Sequence, residues 1–421
     1  MDRLRIVGGK PLHGEVEISG AKNAALPILF ASILSNEKSV IRNVPLLADI
    51  NTTLKVLDSL GMKTLFKLED HTIEIDASTL NSHEAPYDLV RTMRASVLVL
   101  GPLLARKGIA RVSLPGGCAI GARPVNFHLE ALEKMGAQFM IEGGYIDGSA
   151  ANGLQGAEIE FPFPSVGATE NILMASVLAK GTSVIKNAAC EPEIVDLVIA
   201  LRSMGAKITG EGTPTIIVEG VSRLHAMNHS VAPDRIEAAT FLCAGLITRG
   251  KVTVRGINAG FMESALKLLE NIGAKISSTD QSITAEYVND LKPIQVTTEP
   301  FPGFPTDMQA QYMALMTQAS GESSISETIF ENRFMHVPEL TRLGAKIDIK
   351  GNEATIKGPV QLSGAIVMAT DLRASASLII AGLVAKGETI IRRIYHLDRG
   401  YEHIEQKLSK LGAEIYREFE K

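Results

Sequence analysis

A phrase close to Leu-Gly-Ala-Lys-Ile recurs six times, at Leu60-Gly61, Met135-Gly136, Met204-Gly205, Ile272-Gly273, Leu343-Gly344 and Leu411-Gly412. A spacing of about 70 residues marks one supersecondary unit copied along the chain. Residues shared by every copy are then packing. Residues that break the pattern are candidates for chemistry.

Each copy opens with a small-residue, apolar stretch of helical length, such as Asn171 to Ala179 or Ser377 to Ala385. Being apolar nearly all round, these stretches read as helices buried inside a domain. A Lys-Gly or Arg-Gly stop follows (Lys180-Gly181, Arg249-Gly250, Lys386-Gly387), then a β-branched strand such as Thr389-Ile390-Ile391. An amphipathic helix leads to the glycine phrase, and one or two alternating strands such as His71 to Ile75 close the unit. The expectation is a helix-strand-helix-strand-strand unit, six times over. A chain of 421 residues holds two sizeable cores. The non-helical run His229 to Pro233 splits the units into two groups of three. One α/β repeat domain would span 22–231 and carry the Cys118 loop. The other would combine 1–21 with 232–421 and carry Asp307, Asp371 and Arg399, the first 21 residues completing the last unit. Two chain crossings, near Gly20-Ala21 and Val231-Ala232, would form a hinge with a cleft between lobes.

A formal net charge of −5 gives no reason to expect nucleic acid as partner, so an anionic substrate needs a local cluster of cations. The start, Met1 to Ile6, has no apolar core of a signal peptide, and no 18-residue apolar run follows. The chain reads as cytoplasmic, without a membrane partner. Cys118, Cys190 and Cys243 form no C-x-x-C pair. His225 and His229 sit four apart without a third ligand, so no metal is expected. Gly245 to Val252 approaches a phosphate loop but has Val252 where a hydroxyl must hold magnesium. No dinucleotide fingerprint occurs, and no cofactor is expected.

The starts of the buried helices carry Lys22-Asn23, Arg94, Ser165-Val166-Gly167, Asp234-Arg235, Asp307 and Asp371 with Arg373. A helix N-terminus offers unpaired N–H groups to an anion, and Lys22, Arg94 and Arg373 would add charge. Asp234, Asp307 and Asp371 read equally well as N-caps. A second set follows each first strand: Asp49, the Cys118 loop with Arg123, Glu193, Glu263, Arg333 and Arg399. Only the second copy is notably long here, with 24 positions from Val112 to Gly136 against 21 from Val40 to Gly61. The surplus lies in Leu114 to Pro124, where Gly116, Gly117 and Gly121 permit unusual backbone angles and Cys118 lies near Arg123. A thiol so placed favours its thiolate. Cys190 and Cys243 read as packing.

The stretch Pro115 to Pro124 resembles the signature loop of the UDP-N-acetylglucosamine enolpyruvyl transferase (1-carboxyvinyltransferase) family. Similar to that family too are Gly20 to Ala24, Met93 to Ser96, Gly303 to Gln311, Glu331 to Phe334, Asp371-Leu372-Arg373 and Asp398 to Tyr401. The resemblance spans nearly the whole chain. It implies two inside-out α/β barrel domains, helices within and sheets without. It implies transfer of the enolpyruvyl group of phosphoenolpyruvate to the 3′-hydroxyl of UDP-N-acetylglucosamine with release of phosphate. This is the first committed step of peptidoglycan synthesis, tied to cell wall biogenesis, cell shape and cell division. Both partners are small molecules.

By the same resemblance, Lys22, Arg123 and Arg399 hold the phosphate side of phosphoenolpyruvate, Arg373 and Arg399 lie near its carboxylate, and Arg94 supports them. Asp307 is the base for the sugar hydroxyl. Cys118 forms a phospholactoyl adduct and is alkylated by fosfomycin. Asn23 contacts the sugar, and Asp371 with Leu372 line the adduct side. Arg123, Pro124, Val125, Asn126 and Phe127 surround the uracil, Ser165, Val166 and Gly167 cradle the diphosphate, and Ile329 sits near the sugar. Some members have Asp at the position of Asn126 and Lys at that of Phe163; the second change removes a diphosphate cation. Rival readings are a sister enzyme acting on shikimate 3-phosphate and a non-catalytic regulatory paralogue.

Overall fold

The computed structural model describes residues 2–91, 93–114 and 125–419. Among these, the chain divides into two compact units, one of residues 20–114 and 125–232, the other of 2–19 and 233–419. Each unit holds three four-stranded sheets.

The recurring glycine has one structural cause. In all six copies it follows the outer helix with positive φ, from +88° at Gly61 to +101° at Gly273. Its own N–H donates to the carbonyl three residues back, as Gly136 does to Glu133. The next residue donates to the carbonyl of a leucine five back: Met62 to Leu57, Ala137 to Leu132, Ala206 to Leu201, Ala274 to Leu269, Ala345 to Leu340 and Ala413 to Leu408. This is the Schellman stop, in which only a residue without a Cβ adopts the left-handed turn cheaply.

Every sheet has the same plan: a short edge strand parallel to the first long strand, then an antiparallel pair. Glu84–Ala85, for example, pairs parallel with Ile109–Ser113, which pairs antiparallel with Tyr145–Ser149, and Gln138–Glu142 forms the far edge. The edge strand precedes the buried helix and was absent from the expected unit. At two to five residues it is too short for its alternation to register. The N-terminal residues also do more than expected. Asp2–Val7 lies between Glu388–Arg392 and Glu414–Phe419, completing the last sheet. His13–Glu17 instead pairs parallel with Lys251–Arg255 and supplies the edge of the fourth sheet. Asn228–Ser230 does the same for the first sheet, alongside Lys38–Arg42.

Helices fill the inside of each unit. Every residue of Arg235–Ile247 and Gln309–Met316 is buried, and these helices pack on one another and on Leu372–Gly382. In the other unit Lys22–Ala31, Leu100–Lys107 and Val166–Ser176 have this role, the middle one preceded by a 3₁₀ turn over Arg94–Val99. Gly245 to Val252 runs from a buried helix into a strand, the reverse of a phosphate loop. No helix among the described residues is long and apolar enough to cross a membrane.

Candidate active site

Helices apolar on every side leave only their first turns for polar chemistry. In the unit holding residues 233–419, three such turns meet. Asp307 lies in the 3₁₀ turn Thr306–Met308 that leads into Gln309–Met316, inside the turn rather than at its N-cap, which is Pro305. Its Oδ1 accepts from Arg333 Nη2 at 2.6 Å and its Oδ2 from Arg373 Nη2 at 2.9 Å. Asp234 and Asp371, in contrast, are caps: Asp234 Oδ1 accepts from the N–H groups of Ile236 and Glu237, and Asp371 Oδ1 from those of Arg373 and Ala374.

Two guanidiniums, each with a side chain only 4% exposed, thus share one carboxylate. Neither Arg333 Nε nor Arg373 Nε has a hydrogen-bond partner. Burial disfavours the charge on Arg373, but Asp307, Tyr401 and Asp234 together outweigh it and raise the guanidinium above its ordinary value. The cluster therefore sets two guanidiniums against the one carboxylate of Asp307.

The surroundings of this cluster are built from its neighbours. Glu327 accepts from Thr306 Oγ1, Thr298 Oγ1 and the Ile329 N–H, each at 2.9 Å, and so ties Ile329 to the turn of Asp307. Arg399 ends the 3₁₀ turn Ile394–Arg399. A Cβ on the next residue, Gly400, would lie 2.5 Å from Leu372 Cδ2, so glycine lets this loop close on the helix start without moving the leucine. His336 is buried, with Nε2 3.1 Å from Met313 Sδ. Burial pushes its pKa down to about 4, with Asp371 opposing and Arg333 adding. Burial also lowers His396, helped by Arg393 and Arg399.

In the other unit Lys22 is the first residue of its helix, with Nζ 3.5 Å from Asp49 Oδ2, and Asn23 follows it half-buried. Ser165 caps Val166–Ser176, accepting from the Ala168 N–H at 3.4 Å, so Val166 and Gly167 occupy the first turn. Val125 precedes the helix Asn126–Lys134, in which Asn126 is exposed and donates to Glu130. Phe127 is half-buried, and Phe163 is 44% exposed. His225 and His229 go to separate carboxylates, Glu37 and Asp196. Cys118, Arg123 and Pro124 lie outside the described residues, as does the side chain of Arg94.

Sequence reasoning gave no role to Arg333, Glu327 or Tyr401 as holders of this site. Arg333 stood among the pattern-breaking residues, and Tyr401 within a quoted motif. Glu327 gave no signal beyond a carboxylate after a strand.

The chain belongs to the EPSP synthase (3-phosphoshikimate 1-carboxyvinyltransferase) family, whose model matches residues 6–408. It is 57% identical over 417 residues to a UDP-N-acetylglucosamine 1-carboxyvinyltransferase of Solidesulfovibrio magneticus, covering 99% of this chain and 100% of that one. Its fold superposes on the enolpyruvyl transferase NikO from Streptomyces tendae with a TM-score of 0.90 at 27% identity, over 99% and 98% of the two chains. An EPSP synthase from Acinetobacter baumannii shares the fold alone, at a TM-score of 0.77 and 19% identity over the whole of both chains. The fold is thus that of the enolpyruvyl transferases.

Proposed function

We infer that this protein transfers the enolpyruvyl group of phosphoenolpyruvate to the 3′-hydroxyl of UDP-N-acetylglucosamine, releasing phosphate. The observation that carries the reading is full-length identity of 57% to an enzyme of that name. The family description names a shikimate acceptor, but identity to the EPSP synthase structure is only 19%. The acceptor follows the closer relative. The reaction serves peptidoglycan synthesis in the cytoplasm, and through it cell shape and division.

The chemistry asks for cations, a base and a proton donor. Phosphoenolpyruvate brings a phosphate and a carboxylate, which paired guanidiniums hold in fixed orientation. Lys22, Arg123 and Arg399 take the phosphate, with Arg94 in support, and Arg373 with Arg399 takes the carboxylate. Asp307 takes the proton of the sugar hydroxyl as its oxygen attacks the enol carbon. A proton reaches the methylene carbon, giving a tetrahedral adduct with a methyl group, and loss of phosphate together with a proton from that methyl restores the double bond. Cys118 serves as the thiol of the loop, and Asp371 and Leu372 line the adduct side. Asn23 and Ile329 contact the sugar, Val125, Asn126 and Phe127 with Arg123 and Pro124 the uracil, and Ser165, Val166 and Gly167 the diphosphate.

Phosphate release from phosphoenolpyruvate tests the reading. Release should require UDP-N-acetylglucosamine and be absent with shikimate 3-phosphate. The reverse pattern makes the protein the sister enzyme. No release with either acceptor makes it a non-catalytic paralogue.

A further inference from the structure

The Tyr401 side chain is fully enclosed, 2% exposed, yet its hydroxyl meets all three inner helices of its unit. It lies 2.9 Å from Thr240 Oγ1, 3.2 Å from Gln311 Nε2 and 3.3 Å from Arg373 Nη1. The protons can be assigned by counting. Thr240 Oγ1 donates its only proton to the Ile236 carbonyl at 2.8 Å, so toward Tyr401 it accepts. The phenol proton therefore goes to Thr240, and the phenol oxygen is left to accept from Arg373 and from a Gln311 Nε2 proton that it shares with Thr240 Oγ1, 3.2 Å from the same nitrogen.

Gln311 Nε2 also donates to the backbone carbonyl of Asp307 at 3.0 Å, while Arg373 Nη2 reaches the carboxylate of the same residue. The bonds close a ring: Asp307 carboxylate, Arg373, Tyr401 hydroxyl, Gln311, Asp307 carbonyl. Tyr401 is two residues beyond Arg399 in the loop that Gly400 seats against Leu372. One hydroxyl thus fixes both the guanidinium and the turn that carries the carboxylate.

Resting on the function proposed above, we propose that Tyr401 is a positioning residue for the transfer reaction, holding Arg373 and Asp307 in mutual register through this ring. It touches neither substrate. Its removal should therefore be felt through phosphoenolpyruvate, whose carboxylate meets Arg373, more than through the nucleotide.

The test uses the full-length protein and steady-state phosphate release. Wild-type activity with UDP-N-acetylglucosamine is measured first, and its absence would sink the functional reading rather than this one. Tyr401→Phe keeps the ring shape and removes the hydroxyl. Its kcat/KM for phosphoenolpyruvate should fall about tenfold, with KM for the nucleotide within about twofold of wild type. Thr240→Val removes the acceptor of the phenol proton and should lower the same parameter about threefold. The double variant should be no worse than Tyr401→Phe alone, because both act through one ring. A Tyr401→Phe enzyme with unchanged phosphoenolpyruvate parameters overturns the proposal. So does one in which both substrates suffer equally alongside a lowered Tm, the mark of a merely structural role. If Tyr401→Phe does not fold, Thr240→Val decides alone, and an unchanged phosphoenolpyruvate parameter then overturns the proposal.

Discussion

Replacing Asp307 by alanine should cost stability as well as turnover, and the two losses should separate. Its carboxylate, 25% exposed, is shared by Arg333 and Arg373, whose side chains are 4% exposed. Hydrogen bonds to charged groups contribute about 1.5–3 kcal/mol each. Removing one partner of a buried ion pair typically costs about 3–5 kcal/mol, because the charge left behind is neither paired nor solvated. Here two cations are stranded together, so the upper half of that range is expected, trimmed by the partial exposure of the carboxylate to about 4 kcal/mol. With an m-value of about 2–3 kcal/mol/M, the urea midpoint should fall by about 1.5 M. The chain has no tryptophan, so far-UV circular dichroism is the natural probe. Adding Arg333→Met to Asp307→Ala removes one stranded cation and should recover about half of the lost stability without recovering turnover. Nucleotide binding should survive in both variants. A midpoint for Asp307→Ala within about 0.3 M of wild type would refute the claim of a buried, shared carboxylate. So would a double variant less stable than the single one.

Cys118→Ser should abolish inactivation by fosfomycin, measured as residual phosphate release after incubation with the drug; continued inactivation would place the alkylated group elsewhere. His336 should contribute pH dependence. Its folded pKa, about 4, lies below the ordinary histidine value of 6.5, so the folded state binds fewer protons than the unfolded chain between those values. The associated stability is present above pH 6.5 and lost as pH falls toward 4. His336→Gln should therefore flatten the fall in urea midpoint over that window; equal slopes for the two proteins would refute it.

The repeat was legible because each copy repeats a backbone requirement, a left-handed glycine after an amphipathic helix, which shows at single-residue resolution. Buried helices were legible from their all-round apolarity. The edge strands were not, since Glu84–Ala85 and Glu158–Glu160 carry too few residues for alternation. Nor was the second role of the N-terminal segment: His13–Glu17 has only Val16 buried, and its place is fixed by pairing with Lys251–Arg255. At the site, sequence could nominate Asp307 but not distinguish its carboxylate from those of Asp234 and Asp371. All three stand at helix starts. What separates them is backbone geometry: Asp234 and Asp371 are N-caps, whereas Asp307 is one residue inside a 3₁₀ turn whose N-cap is Pro305 two residues earlier.

That one difference of position accounts for how the scaffold makes room for chemistry. A capping carboxylate already accepts two backbone N–H groups, as Asp371 does at 2.8 and 3.1 Å, and lies along its own helix. Moved past the cap position, the Asp307 carboxylate takes partners on other elements. Arg333 supplies one from beyond the first strand of the same repeat, and Arg373 the other from the last repeat of the unit. The backbone service that capping would have given then falls to others: Glu327 holds the turn from one side through Thr306, and Gln311 holds it from the other. A buried helix with no polar face has a single place where such an exchange is possible, its first turn. In this unit the exchange was made once and the other two helices kept their caps, which is why one copy carries the acid shared by two arginines and its siblings carry the frame.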